Sequence, residues 1–157
     1  MTDAEFTAAA RRHADTIYRV AYSWLRDSQD AKDISQNVLI KLFRCKTEFE
    51  SDEHLKSWLI RVTINECRTL FRAPWRKHED IDDYAQSLGI EDTRLELFDA
   101  VMRMDKKYRV PLMLMYYDGY STREIAEMLH IPQNTVSTRL ARAKSLLKLL
   151  LEDDSDD

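Results

Sequence analysis

The chain has 157 residues, of which 44% are apolar and 33% charged, with a formal charge of −4. That balance excludes a disordered chain, and no apolar run approaches the roughly 20 residues of a membrane-spanning helix. With two Gly, three Pro and many Ala, Leu, Arg, Lys, Glu and Met, the composition predicts an all-α fold.

The first predicted helix runs from about Asp3 to Arg26, where Phe6, Ala10, Ala14, Ile17, Ala21 and Trp24 recur every three or four residues. "DSQD" breaks it, and Asp30 is a fitting cap for a second helix through about Arg44. The loop "CKTEFESDEH" follows, and Ser51 or Asp52 caps a third helix to about Arg72. Residues 1–72 then form one small bundle. Residues 73–92 carry a proline, a glycine and an acidic run, and read as a linker. A second helical unit occupies 93–151, and an acidic tail, 152–157, ends the chain. In that unit Leu95, Phe98, Val101 and Met102 form a stripe. The next helix is capped by Asp105, interrupted by Pro111 and closed by Gly119. Its last two helices are carried by "STREIAEMLHIPQNTVSTRLARAKSLL".

Charge follows this division. Residues 1–72 hold 12 basic and 11 acidic groups, and residues 98–151 hold 9 and 5. Residues 73–97 hold 3 and 7, and the tail adds five carboxylates. The acidity therefore lies in the linker and tail, and the folded parts are neutral or basic.

"STRE" at 121–124 is a capping box, Pro132 ends the helix it starts, and Asn134 suits the cap of the next. Four residues between the two helices fit a helix-turn-helix. On the second of them Val136, Leu140, Ala143 and Leu147 fall on one side, with Thr138, Ala141 and Ser145 opposite, flanked by Ser137 and Arg142. A small, hydroxylic and basic outer face suits a major groove, where Arg can pair with guanine and Ser or Thr with bases or phosphates. Arg139, at the margin of the core, suits a phosphate or a supporting ion pair. An ordinary hairpin with a solvated basic face has the same pattern with less reason for it.

Leu55, Trp58, Leu59 and Val62 are the predicted inner face of the third helix. Arg61, Asn65, Arg68 and Arg72 share an outer ridge, a track for phosphates beside Phe49 and Trp75, whose rings suit unstacked bases. On the second helix Ile34, Val38 and Leu42 face inward. Asp33, Gln36, Asn37 and the apolar Ile40 lie on the wet side, a pattern that fits a docking surface. Cys45 and Cys67 read as reduced thiols, and the four histidines have no ligand spacing, so neither metal nor cofactor is expected. Nothing suggests an enzyme: nucleophile–base pair, phosphate loop and metal cluster are all missing from the sequence.

Three stretches, in this order, resemble the extracytoplasmic-function (ECF) sigma factors of bacterial RNA polymerase. "YRVAYSWLRDSQDAKDISQNVLIKLFR" is similar to their region 2.1–2.2 and "LKSWLIRVTINECRTLFR" to regions 2.3–2.4. "MDKKYRVPLMLMYYDGYSTREIAEMLHIPQNTVSTRLARAKSLL" is similar to region 4. The resemblance implies docking on core RNA polymerase through Asp33, Gln36, Asn37 and Ile40. It implies reading of a melted promoter element by Phe49, Arg61, Asn65, Arg68 and Arg72, with Phe49 in a loop that holds a flipped base. Thr135, Ser137, Thr138, Arg139, Ala141 and Arg142 would read an upstream duplex element. Ser137 stands where the family commonly has a basic residue, and His130 and Asn134 stand where glycines are usual. Promoter DNA is the implied ligand and a membrane-anchored anti-sigma factor a candidate partner, while the charged N-terminal stretch, with no signal-peptide core, predicts a cytoplasmic chain. Two alternatives from the residues alone are a free-standing helix-turn-helix regulator, which leaves the first bundle without a task, and a protein-binding adaptor.

Overall fold

The computed structural model describes residues 1–72 and 92–155, with side chains from 1–72 and 96–152. Trp75 and most of the predicted linker lie outside the described residues, as does the side chain of Leu95. The chain divides into two compact units, Met1–His78 and Glu79–Asp157, each with its own core. The described secondary structure is all α-helix.

The first unit holds α1 (Asp3–Leu25), α2 (Ser28–Arg44) and α3 (Asp52–Phe71), each packed against the other two. Thr2 opens α1 with a capping box: its side chain accepts from Glu5 N–H, and the Glu5 carboxylate accepts from Thr2 N–H. Arg26 ends the helix in the left-handed region at φ 52°. The cap of α2 is Asp27, whose carboxylate accepts from Asp30 N–H at 2.8 Å, so Asp30 is the third helical residue and not the cap. In "DSQD" both acids suit a cap, and the chain reversal at Arg26 selects the earlier one. Ser51 caps α3 by accepting from His54 N–H.

Ile17, Leu25, Val38, Leu42, Leu59, Ile60 and Ile64 are essentially inaccessible to solvent and fill the centre of this bundle. The stripes of α1 and α3 are broader than their periodicity predicts. Ala14 is exposed, and Ala9, His13 and Thr16 take the inner positions on α1. On α3, Trp58 and Val62 are half-buried while Ile60, Thr63, Ile64 and Cys67 are buried. Each of these helices has two neighbours, so its buried arc spans two contact lines. Thr63 fits there because its hydroxyl donates to the Leu59 carbonyl at 2.7 Å.

The second unit holds α4 (Asp92–Arg103), α5 (Lys106–Tyr116), α6 (Thr122–Leu129) and α7 (Gln133–Ser155), which continues into the acidic tail. Asp105 precedes α5 but makes no side-chain capping bond. The helix continues through the buried Pro111, which cannot donate to the Lys107 carbonyl, and ends at Tyr116 rather than at Gly119. Gly119 has φ 74° and carries the turn into α6. Phe98, Val101, Met102, Leu114, Ile125, Val136, Leu140 and Ala143 form the core. No described helix is long and apolar enough to cross a membrane.

Candidate nucleic-acid interface

The α6–α7 pair is built by local chemistry. Ser121 accepts from Glu124 N–H at 3.2 Å, and Glu124 accepts from Ser121 N–H at 3.1 Å. His130 ends α6 at φ 56°, and Ile131 N–H reaches back to the Ala126 carbonyl. A non-glycine residue in this region carries roughly 1–2 kcal/mol of strain. Three residues join the helices, since α7 begins at Gln133 and Asn134 lies inside its first turn. Pro132 supplies the capping carbonyl to Thr135 and Val136. Its fixed φ suits a helix start, which moves the cap ahead of Asn134. Gln133 Nε2 donates to Thr122 Oγ1 at 3.0 Å and ties the two N-termini together.

Along α7, Val136, Leu140 and Ala143 face the core. Ser137, Thr138, Ala141 and Arg142 are exposed, and Thr135 and Arg139 are half-buried. Beside this face lies an open cleft of about 360 Å³, lined by Lys107 and Tyr108 of α5 and by Asn134, Thr135, Thr138, Arg139 and Arg142 of α7. The Arg142 guanidinium beside the Tyr108 phenol lowers the phenol's pKa below the ordinary tyrosine value, with Lys107 adding to the effect. Lys107 Nζ sits 5.1 Å from the centre of the Tyr108 ring. Three cations around one cleft make an anion-attracting pocket. Sequence reading missed Lys107 and Tyr108 because they are distant from α7 in the chain and have no distinctive spacing.

In the first unit, Arg61, Asn65 and Arg72 are exposed along α3 and Arg68 is half-buried. The Arg68 guanidinium lies 5.7 Å from the centre of the Trp24 ring, which fixes its position. Burial lowers its pKa, and the charge of Arg72 lowers it further. An anion beside Arg68 offsets that repulsion. The 45–51 loop lies at the other end of α3. Its Phe49 ring packs edge-on against His54 at 5.3 Å and against Trp58 at 5.5 Å. At the loop's end, Asp52 Oδ1 binds His13 Nε2 at 2.9 Å and Arg12 at 2.8 Å.

The hydrogen bond from His13 is the first cause holding the Asp52 carboxyl below its ordinary 3.8, and Arg12 adds to it. A depressed carboxylate contributes stability above its unfolded pKa and loses it as pH falls through the folded value. Denaturant midpoints of the first unit should therefore fall as pH drops below about 4, and Asp52→Asn should flatten that part of the profile.

On α2, Asp33, Gln36, Asn37 and Ile40 are all exposed, and Gln29 Nε2 donates to Asp33 Oδ1 at 3.0 Å. Phe43 extends this face and is 61% exposed, with its ring edge-on to Phe6 of α1 at 5.2 Å. Lys41 pairs with Glu66 and links α2 to α3. Among the described residues no group of His, Cys, Asp or Glu is arranged to hold a metal.

Two separate helical units, one with a basic α3 ridge and one with a helix-turn-helix, define a sigma-type architecture. Residues 9–77 match the Sigma-70 region 2 family, and residues 94–147 match Sigma-70, region 4. The chain is 31% identical over 150 residues to the ECF RNA polymerase sigma factor SigM of Mycobacterium tuberculosis, covering 93% of this chain and 76% of that one. It is 30% identical over 162 residues to the ECF RNA polymerase sigma factor SigW of Bacillus subtilis, covering 90% and 86%. The fold is shared with the sigma factor RpoE solved with the anti-sigma factor NepR from Bartonella quintana. That match has a TM-score of 0.70 at 18% identity and covers 94% of this chain and 97% of that one. A similar match, with a TM-score of 0.69 at 24% identity and coverage of 98% and 91%, is to CnrH in complex with the cytosolic domain of CnrY. The chain belongs to the ECF family of RNA polymerase sigma factors.

Proposed function

We propose that the chain directs core RNA polymerase to promoters in the cytoplasm, as a recognition subunit that carries out no chemistry of its own. Asp33, Gln36, Asn37 and Ile40 dock on the polymerase, with Phe43 extending the patch. Phe49, Arg61, Asn65, Arg68 and Arg72 engage the melted element, with Phe49 against an unstacked base and the arginines on phosphates. Ser137, Thr138 and Ala141 face base edges of the upstream duplex element. Thr135, Arg139 and Arg142, with Lys107 and Tyr108, face its backbone. The observation that carries this reading is the presence of two separate units, each with one basic recognition face. A linker of about 20 residues reaches up to roughly 3.3–3.6 Å per residue. Polymerase, by holding both units, raises the effective concentration of each reader at its element. The apolar cleft lined by Leu97, Val101, Met113, Tyr116 and Leu147 fits an amphipathic helix, the kind of segment by which an anti-sigma partner could occupy this unit.

The test is transcription on promoter templates. The purified chain alone should shift promoter DNA weakly, because each unit releases few counterions, and adding core polymerase should give specific initiation. Tight, sequence-specific binding by the chain alone would assign it instead to free-standing regulators. Arg142→Ala discriminates within the site. The shared cleft with Lys107, Tyr108 and Arg139 favours a phosphate role over the guanine pairing that the helical wheel suggests. Holoenzyme binding should weaken alike on every upstream sequence, with the salt dependence falling by about one counterion. A loss confined to the preferred sequence would return Arg142 to base reading.

A further inference from the structure

His54 is not among the residues assigned above, yet it makes three contacts at the mouth of the 45–51 loop. It is the third residue of α3, where a capping box places Glu or Gln. Here the imidazole Nδ1 accepts the Glu50 N–H at 3.1 Å, one residue ahead of the Ser51 cap. Its own backbone N–H donates to Ser51 Oγ at 3.0 Å. The two bonds close a ring that clasps the loop's last residues to the helix. Accepting at Nδ1 places the proton of the neutral imidazole on Nε2, so the clasp selects one tautomer. The third contact is the ring itself, edge-on to Phe49, whose other neighbour is Trp58. A Glu or Gln could accept the bond but could not wall the phenyl ring, and a Phe could wall the ring but could not accept the bond. His54 does both.

We infer that His54 is a positioning residue for base reading: it fixes the backbone at Glu50 and the ring of Phe49, so that the loop meets an unstacked promoter base in one conformation. This rests on the reading of Phe49 as the residue that faces that base. A plain helix cap would stabilise the first unit and have no effect on base preference, and the two roles separate on that point.

The experiment uses holoenzyme assembled from core polymerase and the full chain, on promoter libraries carrying each base at every melted position. Permanganate reactivity of melted thymines is followed in parallel. His54→Ala should reduce base preference roughly tenfold at one melted position and slow opening there, with upstream-element preference unchanged. His54→Gln, which keeps the acceptor, and His54→Phe, which keeps the ring, should each restore part of it. Wild-type base preference in His54→Ala, with only a lowered unfolding midpoint, would reduce His54 to a cap and overturn the inference. So would an equal loss at every promoter position. Phe49→Ala is the control for the underlying reading. If it leaves preference at all melted positions intact, the loop does not hold a base, and the inference falls with that reading.

Discussion

Arg109→Ala should destabilise the second unit by about 2–4 kcal/mol. Arg109 is only 3% exposed, and its guanidinium donates to the Met104 carbonyl at 2.8 Å across the α4–α5 turn. Truncation removes that donor, leaves a buried carbonyl to find another partner, and opens a cavity where the buried Arg109 side chain stood. The bond closes the turn from which Lys107 and Tyr108 project toward the α7 cleft, so upstream-element binding should weaken along with stability. Arg109→Met keeps most of the volume without the donor and should fall between wild type and Ala. Amide hydrogen exchange, read separately over 96–150 and 1–72, is the measurement. Protection should drop in the first range alone. Wild-type protection in Arg109→Ala would mean the guanidinium contributes little.

Much of this architecture was legible because helical periodicity is strong where one face is plainly apolar. Ile34, Val38 and Leu42 on α2, and Val136, Leu140 and Ala143 on α7, lie inside as their spacing predicts. The pattern loses resolution where a residue tolerates either environment or a helix has two neighbours. Ala14 reads as core yet is exposed, while His13 beside it is buried because Asp52 on another helix offers a partner. The caps shifted for a similar reason. Asp30 and Asn134 are chemically fit to cap, yet the path of the chain places the helix starts earlier, at Asp27 and Pro132.

The candidate site was legible as a set of faces and illegible as a set of contacts. Arg61, Asn65, Arg68 and Arg72 share a ridge by spacing alone. That Arg68 rests on Trp24 is a long-range fact, and so is the cleft that Arg142 shares with Tyr108. Such contacts decide whether an arginine is held or swinging, and hence which ligand group it can reach. His54 is an intermediate case. Its position, three residues after Ser51, was visible, but a histidine there carries no capping signature until the Glu50 bond and the Phe49 contact are seen together.

Ile64→Ala should cost the first unit about 2–5 kcal/mol. Ile64 has no exposed surface and lies one residue before the exposed Asn65, so the two neighbours separate folding from recognition. Ile64→Ala leaves a cavity inside a bundle whose three helices all touch, and the residual stability of a unit this size is small. The expected result is a lowered denaturant midpoint for 1–72, with the midpoint for 96–150 unchanged because its core shares no residue with the first. Asn65→Ala, a surface change, should leave both midpoints within about 0.5 kcal/mol while impairing promoter opening by holoenzyme. At a temperature where the Ile64→Ala bundle is still folded, opening should recover, since the ridge itself is intact. Asn65→Ala should show no such recovery. If Ile64→Ala lowered both midpoints together, the two cores would be one cooperative system, and the two readers could not be treated as separately folded ends of the same subunit.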